Sequence, residues 1–164
     1  MPNRVLRSGL LAGLIAGALA FLIHIMLVVP VALRSLATDD GVEISDGGAD
    51  WLGMLMGDIG AAMGYGILLA AIFAMVGKPV SRAVGALSGL AGFFIVWLLP
   101  GLIWAPELNG VAMDTATPEV AADFVTASAC MHLVRWLALG TAVAWLFERF
   151  GPPPARGTTV DISA

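Results

Sequence analysis

The chain has 164 residues, 59% of them hydrophobic and only 12% charged, with 20 glycines and a mean hydropathy of +0.93. A soluble domain carries about a quarter charged residues to keep its surface wet, so these proportions exclude a soluble globule and a disordered chain alike. A formal charge of −4 is unsuited to nucleic-acid phosphates, and the single cysteine, Cys130, excludes an intramolecular disulfide.

What remains is a polytopic membrane protein. Four apolar runs approach the roughly 20 residues needed to cross hydrocarbon. They cover about Ser8 to Leu33, Trp51 to Val76, Ala83 to Trp104 and Ala122 to Phe147. None alternates with period two, and backbone in lipid must satisfy its own hydrogen bonds, so all four read as helices. The expected fold is all-α: a bundle of four transmembrane helices forming one domain over residues 1–150. A short Pro-containing tail follows at 151–164, with Pro152, Pro153 and Pro154.

The first run begins behind Arg4 and Arg7 and holds His24 as its only ionisable residue. Its apolar core is about twice the length of a signal-peptide core, which favours a retained helix over a cleaved leader. Gly9, Gly13 and Gly17 form a continuous GxxxGxxxG. Gly53 with Gly57 and Gly60 with Gly64 repeat the pattern on the second run, and Gly85 with Gly89 on the third. Small residues four apart let helix backbones approach closely in lipid. The third run carries a Pro100-Gly101 break near its end. The fourth contains Asp123, His132 and Arg135.

Basic residues set the orientation. Arg4, Arg7, Lys78, Arg82, Arg149 and Arg156 fall on one side of the spans and Arg34 alone on the other. The positive-inside bias then puts both termini in the cytoplasm. Trp51 and Trp104 suit the outer interface and Trp145 the inner one. Eight of the 12 acidic residues face outward: Asp39, Asp40, Glu43, Asp46, Asp50, Glu107, Asp114 and Glu119. Such a mouth either keeps the loops solvated or concentrates cations by electrostatic steering. The Asp-Gly segments lack the ligand spacing and closing glutamate of a calcium loop.

Ionisable side chains at bilayer depth are costly and point to function. His24 lies ~10 Å below the outer end of its span at 1.5 Å per residue. Asp58 sits at similar depth if its helix starts at Trp51, or caps a shorter helix starting at Ile59. Met54, Asp58 and Tyr65 share a face, while Met26 is offset around the helix from His24. His132 falls near mid-membrane, with Arg135 one turn further on the same face. Imidazole, carboxylate and thioether from His24, Asp58, Met54 and His132 make an incomplete site for a borderline divalent metal. Alternatively, the histidines bond across helix pairs and Arg135 neutralises Asp58. No HExxH, GxSxG, Walker lysine motif or CxxC pair occurs, so neither an enzyme nor a resident cofactor is expected.

The stretch from Ser88 through Leu98-Leu99-Pro100-Gly101 to Pro106-Glu107-Leu108-Asn109-Gly110 resembles the CbtA family, in which a glycine-rich helix runs into a proline and a PELPG-like loop. The opening Leu10 to Gly17 and the segment Trp136 to Leu146 are similar too, so the resemblance touches nearly the whole chain. CbtA proteins are described as cobalt transporter subunits associated with cobalamin synthesis and a small His-rich partner, CbtB. The resemblance implies a multi-pass protein of the bacterial inner membrane that moves cobalt with a CbtB-like partner or as a homo-oligomer. Family members are usually described with five spans and often a histidine in the first outer loop; four spans and an acidic loop are read here. The competing expectation is a non-transporting structural or accessory subunit of a larger membrane complex.

Overall fold

The computed structural model describes residues 2–31, 51–76, 80–104 and 118–151. All regular structure among them is helical: α1 (Pro2–Val31), α2 (Trp51–Val76), α3 (82–104) and α4 (Pro118–Arg149). Each includes a stretch long and apolar enough to cross a membrane. α1 starts six residues before the expected Ser8, because Arg4, Arg7 and Ser8 continue the helix. α4 also exceeds expectation at both ends. Its 32 residues make a rod of about 48 Å, longer than the ~30 Å hydrocarbon layer. Glu119 and exposed Asp123 therefore fall in its first two turns rather than in the middle of a span. Residues 32–50, 105–117 and 152–164, which carry most of the acidic loops and the proline tail, lie outside the described residues.

The expected break at Pro100-Gly101 does not occur. Proline lacks an N–H and its ring clashes with the carbonyl four residues back. The turn before it widens instead: Phe93–Leu98 is π-helical, with the Leu99 N–H bonded to the Phe94 carbonyl, and Leu99–Trp104 continues as α-helix. α1 meets the same problem at Pro30 and solves it alike. His24–Val28 is π-helical, with the Val29 N–H bonded to the His24 carbonyl. Local π adjustment keeps the backbone bonded internally, as lipid demands.

The helices alternate in direction and are seated by glycine. Gly9, Gly13 and Gly17 lie against the α2 backbone at Ile67, Met63 and Ile59; a Cβ on Gly17 would come within 3.0 Å of the Asp58 carbonyl oxygen. Gly85 and Gly89 meet α4 at Gly140 and Trp136 in the same manner. The motifs of α2 are used differently. Among the described residues, Gly57, Gly60 and Gly64 have nothing within 4 Å of a Cβ position, so they pack on none of the other described helices. α1 packs on both α2 and α4, whereas α3 packs on α4 alone among the described residues. The bundle is consequently open between α2 and α3 rather than a closed square.

The main core joins Ala12, Ala16, Ala70, Phe73, Trp136, Leu139, Val143 and Phe147. Many large apolar side chains point outward, Met75 at 78% exposure among them, and so do Leu11, Leu68 and Leu102. A bilayer, not water, suits that exterior. At the basic end Arg4 clasps the two outer ends of the chain's fold. Its Nε donates to the Phe147 carbonyl at 2.6 Å, and its guanidinium lies 3.7 Å from the centre of the Phe147 ring. One orphan carbonyl in the last turn of α4 is thereby satisfied.

Gly13→Val places branched carbon against the Met63 backbone, which has no room to yield. Overpacking of 1–3 kcal/mol lowers the thermal midpoint of the detergent-solubilised protein by about 3–10 °C. Gly57→Ala, with open space at its Cβ, leaves the midpoint within about 2 °C. Equal shifts in the two variants would contradict the assigned α1–α2 contact.

Candidate functional site

Three helices deliver charged or polar side chains to one level of the apolar interior. Asp58 stands in the third turn of α2, whose first residue is Trp51, so it does not cap a helix starting at Ile59. Its backbone lies against Gly17, near the middle of the 30 residues of α1. The glycine contact lets α1 and α2 close around this level. Arg135 of α4 reaches into it: Arg135 Nη1 donates to Asp58 Oδ1 at 3.2 Å, with the two side chains only 8% and 15% exposed. This is the only ion pair among the described residues, and no buried side-chain nitrogen or oxygen there lacks a partner. Tyr65, two turns along α2 from Asp58, is within electrostatic reach of Arg135 and packs on Trp136 with ring centres 4.9 Å apart.

The two histidines lie near the pair. His132, one turn before Arg135 on α4, stacks on Trp97 of α3 at 5.0 Å between ring centres and 28° between planes. Trp97 stacks in turn on Phe93 at 5.3 Å and 21°. Both aromatic residues belong to the π-helical turn before Pro100. His24 opens the π-helical turn of α1, six residues before Pro30. It lies within electrostatic reach of both Asp58 and His132 but forms no ion pair with Asp58. Seven residues beyond Gly17, it stands about 10 Å further along α1, away from the basic end.

Of the expected metal-site residues, Asp58 is thus brought directly onto Arg135, the anticipated charge partner. His132 and His24 both lie on the side of the pair away from the basic end, within electrostatic reach of it. Met54 lies one turn before Asp58 on α2, and its side chain is outside the described residues. Met26 is 74% exposed and points away. Among the described residues no three of His, Cys, Asp and Glu are grouped to hold a metal ion. Cys130 is exposed on α4 and takes no part.

Trp97, Phe93 and Tyr65 enter the site in ways that spacing did not suggest, apart from the shared face of Tyr65 and Asp58. The available signal was proline. Each of Pro30 and Pro100 follows the residues that present His24 and Trp97, and π turns recur at functional positions in helices.

Four helices of membrane-spanning length around a buried ion pair define a multi-pass membrane protein with a polar centre. No family model, curated protein or solved structure matches the chain.

A buried pair loses about 3–5 kcal/mol when one partner is removed, because the other charge is left uncompensated. Asp58→Asn and Arg135→Gln each cost that order in reversible unfolding from mixed micelles, whereas the double variant costs less than either. Additive losses in this double-mutant cycle would show that the two side chains do not depend on one another.

Proposed function

We propose that the chain is a subunit of a divalent-cation transporter of the CbtA kind, with cobalt as the expected cargo and the bacterial inner membrane as its place. The observation that carries this reading is the grouping of His24, Asp58, His132 and Arg135 within electrostatic reach of one another in an otherwise apolar interior. Nothing in helix packing requires four ionisable groups there. Purely structural use would be cheaper with apolar residues of similar volume.

The chemistry follows from charge. A cation attracted by the acidic outer loops meets His24 first, whose imidazole offers one nitrogen. His132 is the next ligand inward, and Asp58, paired with Arg135 one turn beyond His132, the one after it. While Arg135 holds Asp58, its positive charge bars the path and occupies the carboxylate. A divalent ion ligated by imidazole competes for that carboxylate, and Arg135 turns toward Tyr65 as the ion enters. Two nitrogen ligands and one carboxylate bind a borderline metal weakly enough to release it. The open side between α2 and α3 is where a second copy or a small CbtB-like partner completes the pathway. Energy comes from that partner or from the ion gradient.

A second reading has its own support. Gly57, Gly60 and Gly64 present a small-residue face that none of the described residues covers, as suits an accessory subunit that docks helices of a larger complex. The Asp58–Arg135 pair would then be a lock between α2 and α4.

Uptake of radioactive cobalt by cells relying on this protein separates the two. Under the transport reading, His24→Ala and His132→Ala each reduce uptake at least tenfold at unchanged membrane levels. The Asp58→Asn/Arg135→Gln double variant folds but does not transport. Undiminished uptake in all three, with the protein co-purifying with an unrelated complex, supports the accessory reading.

A further inference from the structure

Away from the polar centre, a groove of about 650 Å³ runs along α4 beside the start of α3. That volume falls in the roughly 300–1,000 Å³ range of small-molecule sites. Its wall extends from Val134 to Trp145, Ala138 and Ala142 keep it free of bulky side chains, and Arg82 stands at one end of this open groove.

Length and charge identify the occupant. Val134 and Trp145 are eleven residues apart on one helix, hence about 16 Å. That is about half of the ~30 Å hydrocarbon layer, the depth of a single leaflet. A transmembrane helix from a partner would need the whole depth; an acyl chain needs only this half. Arg82 is exposed in the first turn of α3, where a cation opposes the helix dipole. It forms no ion pair among the described residues. Trp145, 39% exposed, marks the same end, with the Arg149 guanidinium 5.8 Å from its ring centre. Indole rings settle at the headgroup level, and basic pockets beside membrane helices attract anionic lipid heads.

We propose that this groove binds an anionic phospholipid of the leaflet at the basic end, its phosphate at Arg82 and one acyl chain along α4 from Trp145 to Val134. The lipid covers the seam on which α3 has its only described packing, so binding and the seating of α3 reinforce each other through mass action. Ion movement by the chain is not a premise of this site.

The test uses the full-length protein in phosphatidylcholine nanodiscs containing brominated phosphatidylglycerol or brominated phosphatidylcholine. Quenching of Trp145 is taken as the difference from Trp145→Phe. Brominated phosphatidylglycerol quenches Trp145 at a several-fold lower mole fraction than brominated phosphatidylcholine. Arg82→Gln brings the two curves together, Arg82→Lys largely keeps them apart, and Thr141→Phe, which fills the wall, weakens quenching by both lipids. An unchanged thermal midpoint of Arg82→Gln in phosphatidylcholine discs shows that the loss of preference is not a loss of fold. Coincident curves for the unaltered protein, or a preference that survives Arg82→Gln, would overturn the proposal. So would the absence of quenching by either lipid, which would mean that protein covers the groove.

Discussion

The fold is organised around a carboxylate and a guanidinium that share one hydrogen bond near the middle of an apolar bundle. Either charge alone at that depth is prohibitively expensive, so α2 and α4 must stay close enough for Asp58 and Arg135 to meet. The glycines of α1 make this possible. By letting α1 settle onto the α2 backbone at Ile59, Met63 and Ile67, they bring α2 within reach of α4, which packs on the other side of α1. Removing a side chain at Gly13 therefore serves an ion pair more than four residues away. The pair in turn limits how far the three helices can slide, because a shift of one turn along α2 would carry Asp58 about 5 Å from its partner.

Proline adds a second constraint that works through the backbone. Pro30 and Pro100 each lack the donor that an α-helix needs, and each helix answers with a π turn just before the proline. A π turn rotates the side chains that precede it relative to those that follow, so it changes which residues face inward. In α1 the turn begins at His24; in α3 it carries Trp97 onto His132 and Phe93 onto Trp97. The polar centre is thus bounded by two backbone irregularities on helices that do not touch one another among the described residues.

Much of this was legible before any coordinates. Long apolar runs announce their own helices, since only internal hydrogen bonding tolerates lipid, and isolated charges within them stand out against the 12% total. Asp58, His132, Arg135 and His24 are conspicuous for that reason. Their pairing is less so. Asp58 and Arg135 are 77 positions apart, and contact between them depends on helix register, which a hydropathy pattern does not encode. Spacing also could not rank the small-residue motifs. Gly13 and Gly60 sit in equivalent patterns, yet one packs on backbone and the other on none of the described residues, because the choice depends on which face the neighbour occupies. The run of α3 to Trp104 was expected, but with a break at Pro100-Gly101, when a widened turn before the proline is the other solution open to a helix in lipid.

The open arrangement links the polar centre to the membrane around it. α3 has one protein neighbour, α4, and meets it through Gly85 and Gly89 at one end and through Trp97 on His132 at the other. Any tilt of α3 about its glycine contact moves Trp97 across the His132 ring. The lipid groove lies at the glycine end of this lever, with Arg82 in the first turn of α3 and Ala138 and Ala142 beneath. A lipid in the proposed groove would brace that end, so the seating of Trp97 on His132 and the covering of the α3–α4 seam rest on the same helix.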